Sequence, residues 1–209
     1  MKFRKNDQPV SSDKWLLSYS VFLNLVLAVF VAMYANSTKK APPQNTKIEA
    51  PKEVQKEFSR ISDILRETMS TQFGSDVMKK VDIAEDARGL VLRFTAESFF
   101  HVGQAEAKME SLKILDHIAE VLKTTVYPIR VEGHTDNEPV DSDVYPSNWE
   151  LSTARASWVT RYLIGKFQID PRKIEAVGFA DTRPLIENSS ATNKSRNRRV
   201  EIVILKKEF

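Results

Sequence analysis

Between Trp15 and Tyr34 the chain carries no Asp, Glu, Lys, Arg or His. About 20 apolar residues in a helix span the hydrocarbon core of a bilayer. In lipid, only a helix or a closed barrel satisfies its own backbone polar groups. The stretch therefore predicts one transmembrane helix over residues 15–35, bracketed by Trp15 and Tyr34 as interfacial aromatics. The rival reading is a cleaved signal peptide. Against it, the apolar run is long for a signal core, and no convincing pair of small residues follows it. Lys2, Arg4, Lys5 and Lys14 precede the span, while Lys39, Lys40 and Lys47 follow it. Charge alone is then a weak guide to which end lies inside.

The rest of the chain has to fold in water. Across 209 residues, 42% are hydrophobic and 28% charged, which suits one soluble domain plus extra segments. The net charge of +3 comes from basic residues mixed with acidic ones, a pattern that argues against nucleic-acid binding. There is no cysteine, hence no disulfide, no thiolate metal site and no cysteine to carry a lipid.

After the span, Pro42, Pro43 and Pro51 mark an extended linker. Val54, Phe58, Ile61, Ile64, Leu65 and Met69 then recur at helical spacing, which predicts an amphipathic helix. Such a helix usually packs on the next domain; the alternatives are the membrane surface or a copy of itself. Strand-like runs at 81–85 and 89–94 flank an Asp-Ala-Arg-Gly turn. An amphipathic helix follows over 104–123, with Met109, Leu112, Leu115, Ile118, Ala119 and Leu122 on one face. Next come a strand at 129–132, a helix at 147–167 capped by Ser147 or Asn148, and strands at 173–177 and 199–205. Strands alternating with helices predict an α/β (α+β) domain: a mixed sheet with helices packed on one face, preceded by the single transmembrane helix.

The most informative residues are Val131-Glu132-Gly133-His134-Thr135-Asp136-Asn137 and Ser147-Asn148-Trp149-Glu150-Leu151-Ser152, with Arg155-Ala156 closing the second run. Val177-Gly178-Phe179-Ala180-Asp181 and Arg196-Asn197-Arg198-Arg199-Val200-Glu201-Ile202 follow in order. This series, over roughly residues 90–206, resembles the C-terminal domain of the OmpA family, a peptidoglycan-binding fold. Asp136 lies just past a strand end, where ligands gather in α/β sheets, and Arg155 sits on the helix after it. A carboxylate beside a guanidinium suits a zwitterion. The resemblance assigns Asp136 and Arg155 to the diaminopimelate group of peptidoglycan, with Thr135, Asn148 and Arg199 as supporting candidates. The bland alternative is a structural Asp136–Arg155 ion pair. A lone His134 reads as a hydrogen-bonded structural residue. No nucleophile stands beside a base and no metal-ligand cluster is visible, so neither catalytic residues nor a cofactor or metal are expected.

Three kinds of protein carry such a domain. The residues before 80 hold no succession of alternating strands for an outer-membrane barrel, and a lipoprotein needs the missing cysteine. The third kind is the stator subunit of the MotB family. Trp15-Leu16-Leu17-Ser18-Tyr19-Ser20, the apolar run to Tyr34 and the Pro139/Pro146 loop before Asn148 resemble it. That resemblance implies a cytoplasmic tail (1–14), a transmembrane helix (15–35), a periplasmic linker and plug-like amphipathic helix (36–80) and an OmpA-like domain (81–209). It further implies the inner membrane, a cytoplasmic N-terminus, a polytopic MotA-like partner, a homodimer and a place in the flagellar motor. One position departs from the family: its proton-binding Asp is Val21 here, and valine cannot titrate. Asn24, one turn on, fits a helix–helix hydrogen bond better than an ion path. The expectation is a stator-type complex anchored to peptidoglycan, or a non-conducting tether between membrane and wall.

Overall fold

The computed structural model describes residues 14–38, 52–74, 80–101, 103–140 and 142–206. The expected cytoplasmic tail (but for Lys14) and most of the proline-bearing linker lie outside the described residues. The chain divides into two compact units, one ending at Glu49 and one beginning at Ala50.

In the first unit, helix α1 runs Lys14–Thr38 and contains the 20-residue apolar span Trp15–Tyr34. Large apolar side chains stand exposed on every side of it, Leu17, Val21, Phe22, Leu25 and Phe30 among them. A helix apolar all round has no face to offer water, which suits lipid.

The second unit begins with helix α2, Lys52–Phe73. Its predicted stripe is real: Phe58, Leu65 and Met69 are fully buried in the main core, and Val54, Ile61 and Phe73 pack against it. Ile64, placed on the same stripe by spacing, is half exposed. Each fully buried side chain of this kind stabilises by about 1.5–3 kcal/mol. The Phe58 ring meets Tyr127 edge-on at 4.8 Å, Tyr127 donates to Glu57 at 2.7 Å, and Arg66 donates to the Ile83 carbonyl. A boundary at residue 81 would cut through this core, so α2 belongs with the domain that follows.

Strands β1 (Val81–Glu85) and β2 (Gly89–Thr95) form the expected hairpin, its turn held by the Arg88 N–H on Asp86 Oδ1 at 2.8 Å. A short helix α3 (Ala96–Phe99) follows. Helix α4 spans Met109–Thr124 and starts later than periodicity suggested. The segment before it folds back instead, bridging Phe100 to Ala107. Met109 is exposed, and Ile114, Leu115, Ile118, Ala119 and Leu122 form the buried face. Strand β3 (Ile129–His134), helix α5 (Asn148–Phe167) and strand β4 (Ile174–Gly178) make a parallel β–α–β unit. A polar helix α6 (Ala191–Asn197) leads into β5 (Arg199–Leu205).

The sheet order is β1-β2-β5-β3-β4, with β3–β4 parallel and the other pairs antiparallel. Leu90, Leu92, Phe94, Ile129, Val131, Val200, Ile202 and Ile204 meet α2, α4 and α5 in one core. It is a mixed sheet with helices on one face. The antiparallel pairings carry the end of β2, the start of β5 and the end of β3 to the same rim, where Thr95, Arg199 and His134 are register partners. That rim holds the site.

Candidate ligand site at the rim of the sheet

Helix α5 comes very close to the sheet. A Cβ on Gly133 would lie 2.0 Å from the Ser152 carbonyl oxygen, and one on Gly178 would lie 2.1 Å from Thr153 Oγ1. Only glycines let the helix seat there, and that seating brings Arg155, two turns into α5, to the rim. Ser147 caps the helix by accepting from the Trp149 N–H at 3.1 Å, and it also pairs with Glu150, so the cap is Ser147 rather than Asn148.

A cavity of about 430 Å³ opens there, lined by Thr135, Asp136, Asn148, Arg155, Phe100 and Arg198 among others. Asp136 is 4% exposed and Arg155 5% exposed. They are not an ion pair. Asp136 Oδ2 accepts from Arg198 Nη1 at 2.5 Å, while Oδ1 accepts from the Glu138 N–H at 3.2 Å. Arg198 also pairs with Glu97. Arg155 Nε donates to the Gln104 carbonyl at 3.0 Å, and its guanidinium lies 5.2 Å from the Phe100 ring centre. Among the described residues, no carboxylate lies within ion-pair distance of Arg155. Burial pushes its guanidinium down to about 10, against a favourable pull from Tyr145 and Asp136. It remains charged at neutral pH.

Thr135 and Asn148 shape this site. The Thr135 hydroxyl donates to the Asp136 carbonyl at 2.9 Å, and its N–H donates to the Ala180 carbonyl at 2.9 Å. The Asn148 amide donates to the Glu138 carbonyl at 2.8 Å and the Asp136 carbonyl at 3.3 Å, clamping the turn that presents Asp136.

Arg199 is not brought to the cavity. Its side chain lies on the opposite sheet face, donating to Glu201 Oε1 at 2.7 Å and to the carbonyls of Asn197 and Arg183. Its neighbour Arg198 takes the place at the rim. Strand alternation carried that signal, because Val200, Ile202 and Ile204 face the helices and position 198 continues their row.

The rear face holds a buried network. Glu132 and Glu201 are register partners and fully buried, an arrangement that would repel if unpaired. Arg88 bridges both, Arg93 donates to Glu201 at 3.0 Å, and Arg199 completes the set. Burial alone would raise the Glu201 carboxyl, but Arg199 and Arg88 outweigh it and hold it at about 2. His134 is 1% exposed, with Nε2 at 3.5 Å from Glu132 Oε2 and the ring 5.3 Å from Phe179. Neither ring nitrogen makes a hydrogen bond among the described residues, unlike the hydrogen-bonded histidine expected. Glu132, His134 and Glu201 are close enough to share a cation. Three guanidinium groups already hold the carboxylates, so an entering cation would meet fixed positive charge.

The OmpA family matches residues 99–198, a range that contains the cavity's Asp136, Asn148, Arg155 and Arg198. The chain is 31% identical to the protein YtxE of Bacillus subtilis (strain 168), over 97% of this chain and 91% of that one. It is 26% identical to motility protein B of the same organism, over 98% and 95%. Among solved structures, the cell wall anchor of the T6SS from Pseudomonas aeruginosa is 32% identical, with a TM-score of 0.59 over 66% of this chain and 96% of that one. From the membrane-length helix to the arginine-lined rim, similarity to YtxE and to motility protein B runs along nearly the whole chain, and the chain belongs to the family of YtxE, with an OmpA-family domain over residues 99–198.

Proposed function

We propose that the chain anchors a membrane complex of the motor-stator type to peptidoglycan, through a single pass with residue 1 cytoplasmic and the Ala50–Phe209 unit on the wall side. The observation that carries this reading is Arg155, a buried charged guanidinium facing a cavity with no carboxylate partner among the described residues. A charge left so is completed by a ligand. Diaminopimelate, whose side chain ends in an ammonium and a carboxylate, meets the Asp136 and Arg155 pair. Further support comes from a relative described as a cell wall anchor. In this reading the partners are a polytopic MotA-like subunit and a second copy of the chain, and no catalytic step is assigned.

Val21 favours a second reading. No ionisable carboxylate or base lies between Trp15 and Tyr34, so the helix offers no proton carrier. The chain is then a non-conducting tether that fixes its complex to the wall.

Sedimentation with purified sacculi tests the anchoring. Arg155→Ala should lose binding, since truncating one partner of a buried charge pair costs about 2–5 kcal/mol, and Asp136→Ala, whose carboxylate is already shared with Arg198, should weaken it less. Sedimentation of both folded variants at the unaltered level would reject the cavity as the wall site. In the same cells, a phosphatase fused after Phe209 should be active and membrane-bound; an inactive or released fusion would reject the topology.

A further inference from the structure

We propose, on the reading of the cavity given above, that the site recognises a free carboxylate first and an ammonium second, and so selects diaminopimelate residues whose side-chain carboxyl is not amidated. The two charged groups of the cavity are not equally available. Asp136 is already engaged on both oxygens, by Arg198 at 2.5 Å and by the Glu138 N–H at 3.2 Å. Arg198 is itself bridged to Glu97. A ligand ammonium reaching Asp136 exchanges one ion pair for another, so little is gained. Arg155 differs. It spends Nε on the Gln104 carbonyl and rests against Phe100, and among the described residues no carboxylate pairs with it directly; Asp136 acts on it only from beyond ion-pair distance. A planar carboxylate takes two of its remaining donors and neutralises it.

A carboxamide cannot do this. It carries no charge, and its amide nitrogen presents donors to a group that has only donors. Amidation therefore removes the charge that would pair with Arg155, which has no ion-pair partner among the described residues. Arg198 acts in the opposite sense, as an internal stand-in for the ligand ammonium.

The test uses the full chain in detergent and calorimetric titration with the tripeptide L-alanyl-γ-D-glutamyl-meso-diaminopimelate. The peptide is supplied with its side-chain carboxyl free or amidated, and a lysine analogue lacks that carboxyl. The free form should bind about 10- to 100-fold more tightly than the amidated form, the scale of a lost charge-assisted hydrogen-bond pair. Equal affinity for the two would overturn the inference and leave peptide binding intact. Failure of every form, together with failure on sacculi, would overturn the anchoring reading as well. Arg198→Gln releases Asp136, so the lysine analogue should bind that variant several-fold more tightly than the unaltered chain. No gain there would overturn the role of Arg198 as competitor.

Discussion

His134 is held neutral in the folded chain. Burial lowers its pKa and outweighs the opposing pull of Glu132; Arg199 adds to the lowering and Glu201 opposes it. The unfolded chain takes up that proton near pH 6.5. Between the two values the unfolded state binds more protons, so stability is intact above about pH 6.5 and is lost as pH falls toward the folded value. The melting temperature of the detergent-solubilised chain should therefore drop from pH 7.5 to 5.5, and His134→Gln should flatten that drop. The carboxylates held low, Glu201 and Glu97, lose their contribution only at lower pH, below their unfolded values near 4.5, so the window isolates the histidine. An equal drop in the variant would remove His134 from the account. Arg198 and Arg199 show what residue type alone leaves undecided. Both are arginines, one just before β5 and one at its start, and only the face each takes separates a cavity-lining residue from a buried counter-ion.

At the scale of elements, legibility followed periodicity. The β1–β2 hairpin, α2, α5 and β5 each repeat their apolar residues at a period that only one conformation satisfies. Periodicity starts helix α4 too early because Ala107 bridges back to Phe100 and the Lys108 N–H donates to the Phe99 carbonyl, contacts that no local spacing encodes. Helix α6, of sequence ATNKSRN, has no apolar stripe and was invisible; its Ser190 cap and the Asn197 contacts to residues 185, 186 and 188 hold it. In the site, Asp136 and Arg155 stood out by motif. Their lack of mutual contact did not, because it depends on Arg198 arriving from the junction of α6 and β5, 62 residues away. The seating of α5 is the tightest joint between elements. Gly133→Ala would drive a methyl to within 2.0 Å of backbone, so the helix has to shift. Overpacking of this kind costs about 1–3 kcal/mol or more, and it should also weaken sacculus binding by displacing Arg155. Unchanged melting together with unchanged binding would show that the joint is slack.

For the molecule as a whole, the apolar helix α1 separates the two proposed readings, an engine part from a fixture. Membranes containing the chain and the MotA-like subunit proposed as its partner should show no proton leak, even with residues 41–51 removed; α2 has to stay, because Phe58, Leu65 and Met69 sit in the domain core. Val21→Asp in that background should leak if the partner keeps its half of the path. A leak from the Val21 form would place the ion path elsewhere. The back-to-back placement of Arg198 and Arg199 has a consequence for grip. One stretch of backbone is bolted to the rear network and carries the cavity's wall on its other side. On the proposed reading, ion pairs on both sides of this backbone hold the cavity's wall in place before a ligand arrives, which lowers the ordering cost of binding. If the proposed anchoring holds, loosening a rear bolt such as Glu201 should blunt the grip from behind and shorten the hold on peptidoglycan although no ligand atom is touched.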